Sequence, residues 1–496
     1  MTSTKDHGNG TLYTTSSLKT CDYDVICIGS GWASRPIASR AVAAGLEALI
    51  IDNDLIGGDC PFWACVPSKA LLRPSEALEA AKAVGGARER VTDPNVDAKA
   101  VFNRRDAFTR GWNDEKLLVP TTLETGTDLL RGTAKLVGVK KIAVTSKDGH
   151  SIEITARCAV AICTGSTPRI PDVPGLKAAH PWTPKEATSA SSIPKHLIIL
   201  GTGAVGCEMA TVYSSFGAKV TVISSTSEIL SKLDNEAGRL VRTALEARGV
   251  EFLLGSTLVE VQRMRDSSIT VKTSSGTQLS ASEILVATGR KPRTDGCGLE
   301  LFDIPIDGTP VEVDESLRVK SVRDKWLYAV GDVNGRSPLT HMCKYQARIA
   351  ATAIIRQARG DLTTEQAPWN SVSATADHLA IPQVIFTQPA VASVGLSRMQ
   401  AKERNVPVRI IQTGAVTVGA LLHGDTFGEG WAQWVVDAES EKLLGMTVVG
   451  QDATELIHAA TVAIVGGVRL DRLVHTVPCF PTMSEVYLNL IEAAGL

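Results

Sequence analysis

Short apolar runs alternate along the chain with longer Ala-rich stretches, and two parts of the chain share one layout. Residues 23–28 are too short for a stable helix and rich in Val and Ile, which predicts a buried strand. Gly29-Ser30-Gly31 follows, then a helical stretch containing Ser34 and running to Gly45. A second strand over 47–51 ends in Asp52. The same order recurs at 196–200, with Gly201-Thr202-Gly203 and Gly206, a helix to Gly217, and a strand over 219–223 followed by Ser224 and Ser225. Strand, glycine turn, helix, strand is the βαβ arrangement whose turn offers backbone N–H groups and a helix N-terminus to a pyrophosphate. One such turn is a weak signal, whereas two in the right strand–helix context predict two dinucleotide-binding units.

Each unit has later partners. Residues 160–166 and 284–290 read as buried strands closing on Thr164-Gly165 and on Thr288-Gly289-Arg290. Residues 326–332 form another strand, ending on Gly331-Asp332. Ligands collect beyond the carboxyl ends of parallel strands, so these ends are candidate contacts. The pattern predicts an α/β protein with two Rossmann-like dinucleotide-binding domains and a C-terminal α+β domain. The first nucleotide domain is expected at 21–170 and 291–365, interrupted by the second at 171–290. A polar linker follows at 366–376, then the third domain at 377–496. Residues 1–20, polar and rich in Thr and Ser, predict a disordered tail.

Composition narrows the class. The 496 residues suffice for about three domains. The net charge is −2, with both signs interspersed and no long basic run, which argues against a nucleic-acid partner. No apolar run approaches the ~20 residues of a membrane span. The ten cysteines are spread thinly along the chain, with one pair in a stretch rich in Gly and Pro, unlike a secreted disulfide framework, so a reducing, cytoplasmic setting is expected.

That pair is Cys60 and Cys65, in Gly57-Gly58-Asp59-Cys60-Pro61-Phe62-Trp63-Ala64-Cys65-Val66-Pro67-Ser68-Lys69. Pro67 suits the first turn of a helix. A thiol at a helix N-terminus meets the positive end of the dipole, which favours its thiolate, and Lys69 adds positive charge on the same face. A redox dithiol is one reading; two structural cysteines or half a zinc site are the others. A zinc site needs four ligands, and neither a Cys-x2-Cys nor a His-x3–5-His pair occurs along the chain, so no metal site is expected.

With these motifs in one order, the chain resembles the pyridine nucleotide–disulfide oxidoreductases, which include dihydrolipoamide dehydrogenase, glutathione reductase and mercuric reductase. The resemblance runs from residue 22 to the C-terminus. It is carried by the two glycine turns, the Cys60/Cys65 stretch, Glu208, Thr288-Gly289-Arg290, Gly331-Asp332, residues 381–387 and 480–485. It implies an oxidoreductase that binds FAD at Gly29, Gly31 and Ser34, with Asp52 on the adenosine ribose. Gly58, Thr164 and Gly165 are expected as further cofactor contacts, with Asp332 on the ribityl chain and Thr340 and His341 near the flavin. Gly201, Gly203, Gly206, Ser224, Ser225, Gly289 and Arg290 are expected to serve the nicotinamide nucleotide.

By the same resemblance Cys65 is the flavin-proximal thiolate, Cys60 the interchange thiol, and Lys69 pairs with Glu208. The partners implied are a small-molecule electron acceptor and a second copy in a homodimer. A ribose 2′-OH calls for an acid after the strand over 219–223, and a 2′-phosphate calls for donors or cations. Ser224-Ser225-Thr226 stands there, so NADPH is expected over NADH, with Lys232 and Arg239 as candidate phosphate partners.

Two departures bear on the acceptor. Reductases of organic disulfides carry a C-terminal His-Pro-Thr whose His is the acid/base. Here Phe480-Pro481-Thr482 stands in its place, leaving Glu485 with no His to orient. A phenyl ring cannot shuttle a proton. His475 could substitute, or lie on the surface; mercuric reductases also have an aromatic at this place, but their extra cysteine pair is reduced here to Cys479. Phe62 and Trp63 between the cysteines either narrow the site or fill the core. The expected function is NAD(P)H oxidation through flavin and the dithiol to a disulfide or a soft metal ion such as Hg(II). The alternative is a flavin-dependent quinone or small-molecule reductase or oxidase in which the dithiol is not essential.

Overall fold

The structure is a computed structural model, and residues 8–93, 95–361, 366–426 and 429–496 are described. They fall into two compact units. The first comprises the described part of Met1–Val66 with Asp106–Thr167 and Arg290–Asp377; the second comprises Pro67–Arg105, Pro168–Gly289 and His378–Leu496.

The first unit is built on an eight-stranded sheet. At its centre Asp22–Ile28 lies parallel to Ala48–Asp52 on one side and to Ser151–Ile162 on the other. Asp128–Arg131 continues the parallel part beside Ala48–Asp52. Leu327–Ala329 adds another parallel strand beside Ser151–Ile162, while Lys141–Thr145 and Thr133–Gly138 extend it antiparallel. Val25, Ile26, Leu49, Ile50, Val160 and Ala161 are fully buried, as expected of strands covered on both faces. The strand order places the carboxyl ends of residues 28, 52, 162 and 329 along one rim, where a ligand of such a sheet binds.

The amino-terminal segment differs from the expected disordered tail. Residues 1–7 of that stretch lie outside the described residues, but Leu12–Tyr13 forms an edge strand parallel to Leu129 and Leu130. Thr11 N donates to Asp128 Oδ1 at 2.7 Å, and Tyr13 is buried. Two apolar residues suffice to recruit a Thr-rich segment to an open sheet edge. The linker expected at 366–376 is also ordered against this unit. Ala374 N donates to Glu315 O at 2.8 Å, Ser316 Oγ donates to Val372 O at 2.7 Å, and both Val372 and Ala374 are buried.

The second unit holds a parallel four-stranded sheet in the order Glu251–Leu253, Lys219–Ile223, His196–Leu200, Glu283–Val286. It also holds a three-stranded antiparallel sheet and a five-stranded antiparallel sheet built from the C-terminal segment. The sequence pattern separates 171–290 from 377–496, but one apolar core runs through both. Leu197, Tyr213, Val220 and Leu285 share it with Ile385, Val391, Trp431 and Val449. Leu71, Leu72 and Val101 join the same core, which is why residues 67–105, expected with the first nucleotide domain, belong to this unit. Among the described residues no helix is long and apolar enough to cross a membrane.

Candidate active site

In the first unit the glycine turn forms as the apolar run ends. Gly29 has φ of +97°, and a Cβ there would meet Cys163 O at 2.4 Å, so only glycine lets the two strands close together. A Cβ on Gly31 would meet nothing within 4 Å: this residue faces open space at the start of the helix Ser34–Ala43. Ser30 N donates to Asp52 Oδ2 at 2.7 Å, and Ser30 Oγ donates to the same oxygen. Asp52 therefore holds the turn as well as ending its strand. Ser34, where the motif allows a third glycine, is fully buried and its hydroxyl donates to Gly29 O. An open backbone cradle, a helix start and an acid at the next strand end fit a dinucleotide pyrophosphate and ribose.

Gly29→Ala should therefore cost flavin. Positive φ alone costs about 1–2 kcal/mol for an L-residue, and the carbonyl clash adds to it. At least a tenfold loss of FAD affinity is expected, read as flavin absorbance retained after gel filtration. Gly45→Ala is the control: it shares the positive φ, at +89°, but has nothing within 4 Å, so FAD should stay bound.

The other rim residues gather around Asp332. Gly331 has φ of +87°, and Asp332 opens a short 3₁₀ turn, Asp332–Asn334. Its Oδ2 accepts from Ser166 Oγ at 2.6 Å. Gln346 is fully buried, and its Oε1 accepts from Gly331 N at 2.8 Å and Asn334 Nδ2 at 2.9 Å. Its Nε2 donates to Asp377 Oδ2 at 2.9 Å. Thr164 Oγ1 donates to Arg293 O at 2.6 Å, and Gly165 has φ of +73°. Arg290, expected to serve a nucleotide, is committed within this unit: Nε donates to Ser166 Oγ at 2.7 Å, and a terminal nitrogen pairs with Asp59.

Gly57 and Gly58, with φ of +127° and +70°, lead into the short helix Asp59–Phe62 that carries Cys60. A Cβ on Gly58 would lie 3.0 Å from Gly31 Cα, so the dithiol loop presses against the cofactor turn at a glycine pair. Cys65 opens the helix Cys65–Ala83, and Pro67 sits in its first turn as the sequence predicts. Both cysteines are thiols and half-buried. The Cys60 thiol is pushed well up, first by its hydrogen bond with Cys65, then by burial; hydrogen bonds from Thr340 and Trp32 pull the other way. Thr340 Oγ1 lies 3.2 Å from Cys65 Sγ, and His341, next on the same helix, is exposed.

The two aromatics between the cysteines divide their roles. Phe62 is buried and fills the core; its carbonyl accepts from Trp112 Nε1 at 3.1 Å. Trp63 is half-buried and stacks on Trp112, with centroids 6.1 Å apart and planes at 21°. Trp112 is a site neighbour that sequence reasoning missed, since nothing local marks it.

In the second unit Gly201 has φ of +111°, Gly203 faces open space, and a Cβ on Gly206 would meet Gly201 O at 2.1 Å. The helix Ala204–Ser215 can thus lie hard against the turn. Buried Glu208 on this helix accepts from Lys69 Nζ at 3.0 and 2.8 Å. Phe386 N donates to the same carboxylate at 3.0 Å, and Lys69 Nζ lies 4.6 Å from the Phe386 ring centroid. Gly289, beyond the strand Glu283–Val286, has φ of +108°.

Ser224 is buried after the strand Lys219–Ile223, and its Oγ bonds Thr202 Oγ1 at 3.0 Å and Thr226 Oγ1 at 2.9 Å. Ser225 is exposed. Arg239 is engaged by Glu236 at 3.0 and 2.8 Å, which leaves exposed Lys232 as the less committed cation. In the C-terminal segment Phe480 is 72% exposed, and His475 and Cys479 are exposed too. Glu485 starts the helix Glu485–Ala493 with one buried carboxylate oxygen that accepts no hydrogen bond.

Residues 23–347 match the pyridine nucleotide-disulphide oxidoreductase family, and residues 381–491 match the dimerisation domain of that family. The chain belongs to the pyridine nucleotide-disulphide oxidoreductase family. It is 31% identical over 471 residues to a dihydrolipoyl dehydrogenase of Chlorobaculum tepidum, covering 93% of this chain and 95% of that one. It is 28% identical over 470 residues to a mercuric reductase of Staphylococcus aureus, covering 94% and 81%. The HOCl-induced flavoprotein disulfide reductase RclA from Escherichia coli, solved as a Cu(II) complex, shares the fold. The TM-score is 0.78 at 23% identity, covering 95% of this chain and 99% of that one. The protein is an oxidoreductase with FAD and a pyridine nucleotide as cofactors, and its dimerisation domain supports a homodimer.

Proposed function

We propose that this enzyme oxidises NADPH and passes two electrons through the Cys60/Cys65 couple to a small acceptor, either an organic disulfide or a soft metal ion such as Hg(II). The observation that carries this reading is the sulfur pair itself. Cys60 is hydrogen-bonded to Cys65, and Cys65 stands at a helix start beside the Thr340 hydroxyl. Bound FAD supplies the relay of two electrons from the nicotinamide to the sulfurs.

The chain's residues then handle thiol chemistry. With a disulfide acceptor, the Cys60 thiolate attacks one sulfur and the other sulfur leaves with the bond pair. Cys65 then displaces the bound half and restores the Cys60–Cys65 disulfide. Two electrons have moved to the acceptor, whose sulfurs leave as thiolates and take any proton from solvent. No residue at 480 can protonate a leaving thiolate, because Phe480 has no exchangeable proton. Acceptors whose reduced form leaves as a stable anion, or needs no proton at all, therefore suit this site. Lys69 and Glu208 hold each other as an ion pair, and Asp332 would accept a hydrogen bond from a ribityl hydroxyl of bound FAD.

NADPH is preferred because no acid follows the strand Lys219–Ile223 to bind a ribose diol, and Ser225 and Lys232 offer donors and charge. We place the enzyme in the cytoplasm, where scattered cysteines stay reduced.

The test is an anaerobic titration joined to an acceptor panel. One or two equivalents of NADPH should produce a long-wavelength charge-transfer band between the Cys65 thiolate and bound flavin. Organic disulfides, Hg(II) and quinones should then be compared for turnover, with KM measured for both nucleotides. Turnover of quinones alone would overturn the acceptor reading, and a tenfold lower KM for NADH would overturn the choice of nucleotide.

A further inference from the structure

Arg290 links three segments of the first unit that lie far apart along the chain. Its Nε donates to Ser166 Oγ at 2.7 Å, and one terminal nitrogen donates to Ser166 O at 2.6 Å and to Asp59 Oδ2. Ser166 Oγ in turn donates to Asp332 Oδ2 at 2.6 Å. A hydroxyl has a single proton, so this serine accepts from Arg290 and gives to Asp332, which fixes the direction of the chain. The backbone beyond Arg290 is pinned as well. Arg293 N donates to Gly165 O at 3.0 Å, and Thr164 Oγ1 donates to Arg293 O at 2.6 Å. Asp59 is the residue before Cys60. The guanidinium thus joins the carboxylate of the dithiol loop directly, and the carboxylate of the Gly331-Asp332 turn through one hydroxyl.

We propose that Arg290 is a positioning residue for the dithiol and not a nucleotide ligand: it offsets the charge of Asp59 beside Cys60 and, through Ser166, ties the dithiol loop to Asp332. The proposal rests on the dithiol reading above. A carboxylate next along the chain from Cys60 disfavours a thiolate in the pair, and so favours the uncharged disulfide over the reduced form. A guanidinium keeps its proton at any working pH, so it offsets that carboxylate permanently. The Arg290 and Asp59 side chains are 28% and 45% exposed. An ion pair so open to water adds little to stability, and its effect falls on the sulfurs rather than on the fold.

The test is a thiol–disulfide equilibrium in full-length, FAD-bound protein, held anaerobic at one pH. Dithiothreitol gives two electrons and two protons to the Cys60–Cys65 disulfide and closes to its own cyclic disulfide, so the exchange balances. Acid quenching, alkylation and mass spectrometry of the peptide holding both cysteines give the reduced fraction. Arg290→Met should shift the equilibrium about tenfold toward the disulfide, or about 30 mV for this two-electron couple. Arg290→Lys keeps the charge without the fork and should recover most of that shift. Asp59→Asn should shift it the opposite way by a similar factor. Arg290→Met combined with Asp59→Asn should return to within about threefold of the native value. A merely structural contact would move the two single variants the same way, or neither.

If Arg290→Met loses FAD, Asp59→Asn decides, since asparagine keeps an oxygen for Arg290 and removes only the charge. An unmoved equilibrium in every variant that retains flavin, or shifts of one sign in both single variants, would overturn the proposal. So would a tenfold rise in KM for NADPH in Arg290→Met with the dithiol equilibrium unmoved, which would return Arg290 to the nucleotide. Failure of the functional reading is a separate result: it would be seen as acceptor turnover indifferent to Cys60→Ser, with the opposite shifts of the dithiol equilibrium intact.

Discussion

Cys65→Ser should lower acceptor turnover by about a hundredfold or more while leaving FAD bound and the fold intact. The serine hydroxyl fits the place of the thiol and keeps a bond to Thr340 Oγ1, which lies 3.2 Å from the sulfur in the native protein. Stability is therefore expected to change by less than about 1 kcal/mol. What disappears is the thiolate, so the charge-transfer band on anaerobic addition of NADPH should be absent.

Cys60→Ser separates the two sulfurs. Cys65 remains, and with its partner no longer a thiol the band should persist or strengthen, yet disulfide or Hg(II) turnover should fall as far. Near-normal quinone turnover in Cys60→Ser would support the reading in which flavin reduces the acceptor directly. An unchanged band in Cys65→Ser would mean that the wrong sulfur has been placed beside the flavin.

How much of this was legible in the sequence depends on distance along the chain. The glycine turns could be read because each glycine answers a local steric demand: Gly29 against Cys163 O, Gly201 against Ala287 O, and Gly206 against Gly201 O. The helix start at Cys65 followed from Pro67 two residues later. The pairing of Lys69 with Glu208 came from the family resemblance alone, since no local pattern joins residues so far apart. Phe386, which completes that pair from a third segment, lies in the 381–387 stretch that carries the resemblance, but nothing there marks its contact with Glu208, because its contribution is a backbone N–H that any residue but proline has.

The boundaries failed for a related reason. A change of pattern near residue 377 marks a change from parallel to antiparallel strands, not the end of a core. Ile385, Val391 and Trp431 bury themselves with the nucleotide-binding strands. The polarity of residues 8–20 concealed Leu12 and Tyr13, whose pairing depends on a free edge beside Asp128–Arg131 that cannot be seen locally. Ser224 illustrates a finer limit: its residue type suggested a ligand contact, while its hydroxyl is already taken up by Thr202 and Thr226.

Glu208→Leu is expected to destabilise the second unit by about 2–4 kcal/mol, and the components of that cost can be told apart. The Glu208 side chain is only 7% exposed, and three hydrogen bonds converge on it, two from Lys69 and one from Phe386 N. Breaking a fully buried pair by removing one partner costs about 3–5 kcal/mol. Here the Lys69 side chain keeps 35% of its surface and lies over the Phe386 ring, so its ammonium can turn toward water. That places the charge penalty below the fully buried case. Phe386 N cannot turn away, and losing its acceptor costs about 1–3 kcal/mol. Glu208→Gln retains an acceptor oxygen for Phe386 N and should cost less than Glu208→Leu by about that amount.

Lys69→Met combined with Glu208→Leu should be more stable than the sum of the single changes predicts, because no stranded ammonium remains. Urea unfolding midpoints of the single and double variants test this ordering. Equal midpoints for Glu208→Gln and Glu208→Leu would show that the backbone contact to Phe386 carries none of the stability. Additive changes in the double variant would show that Lys69 and Glu208 are not coupled.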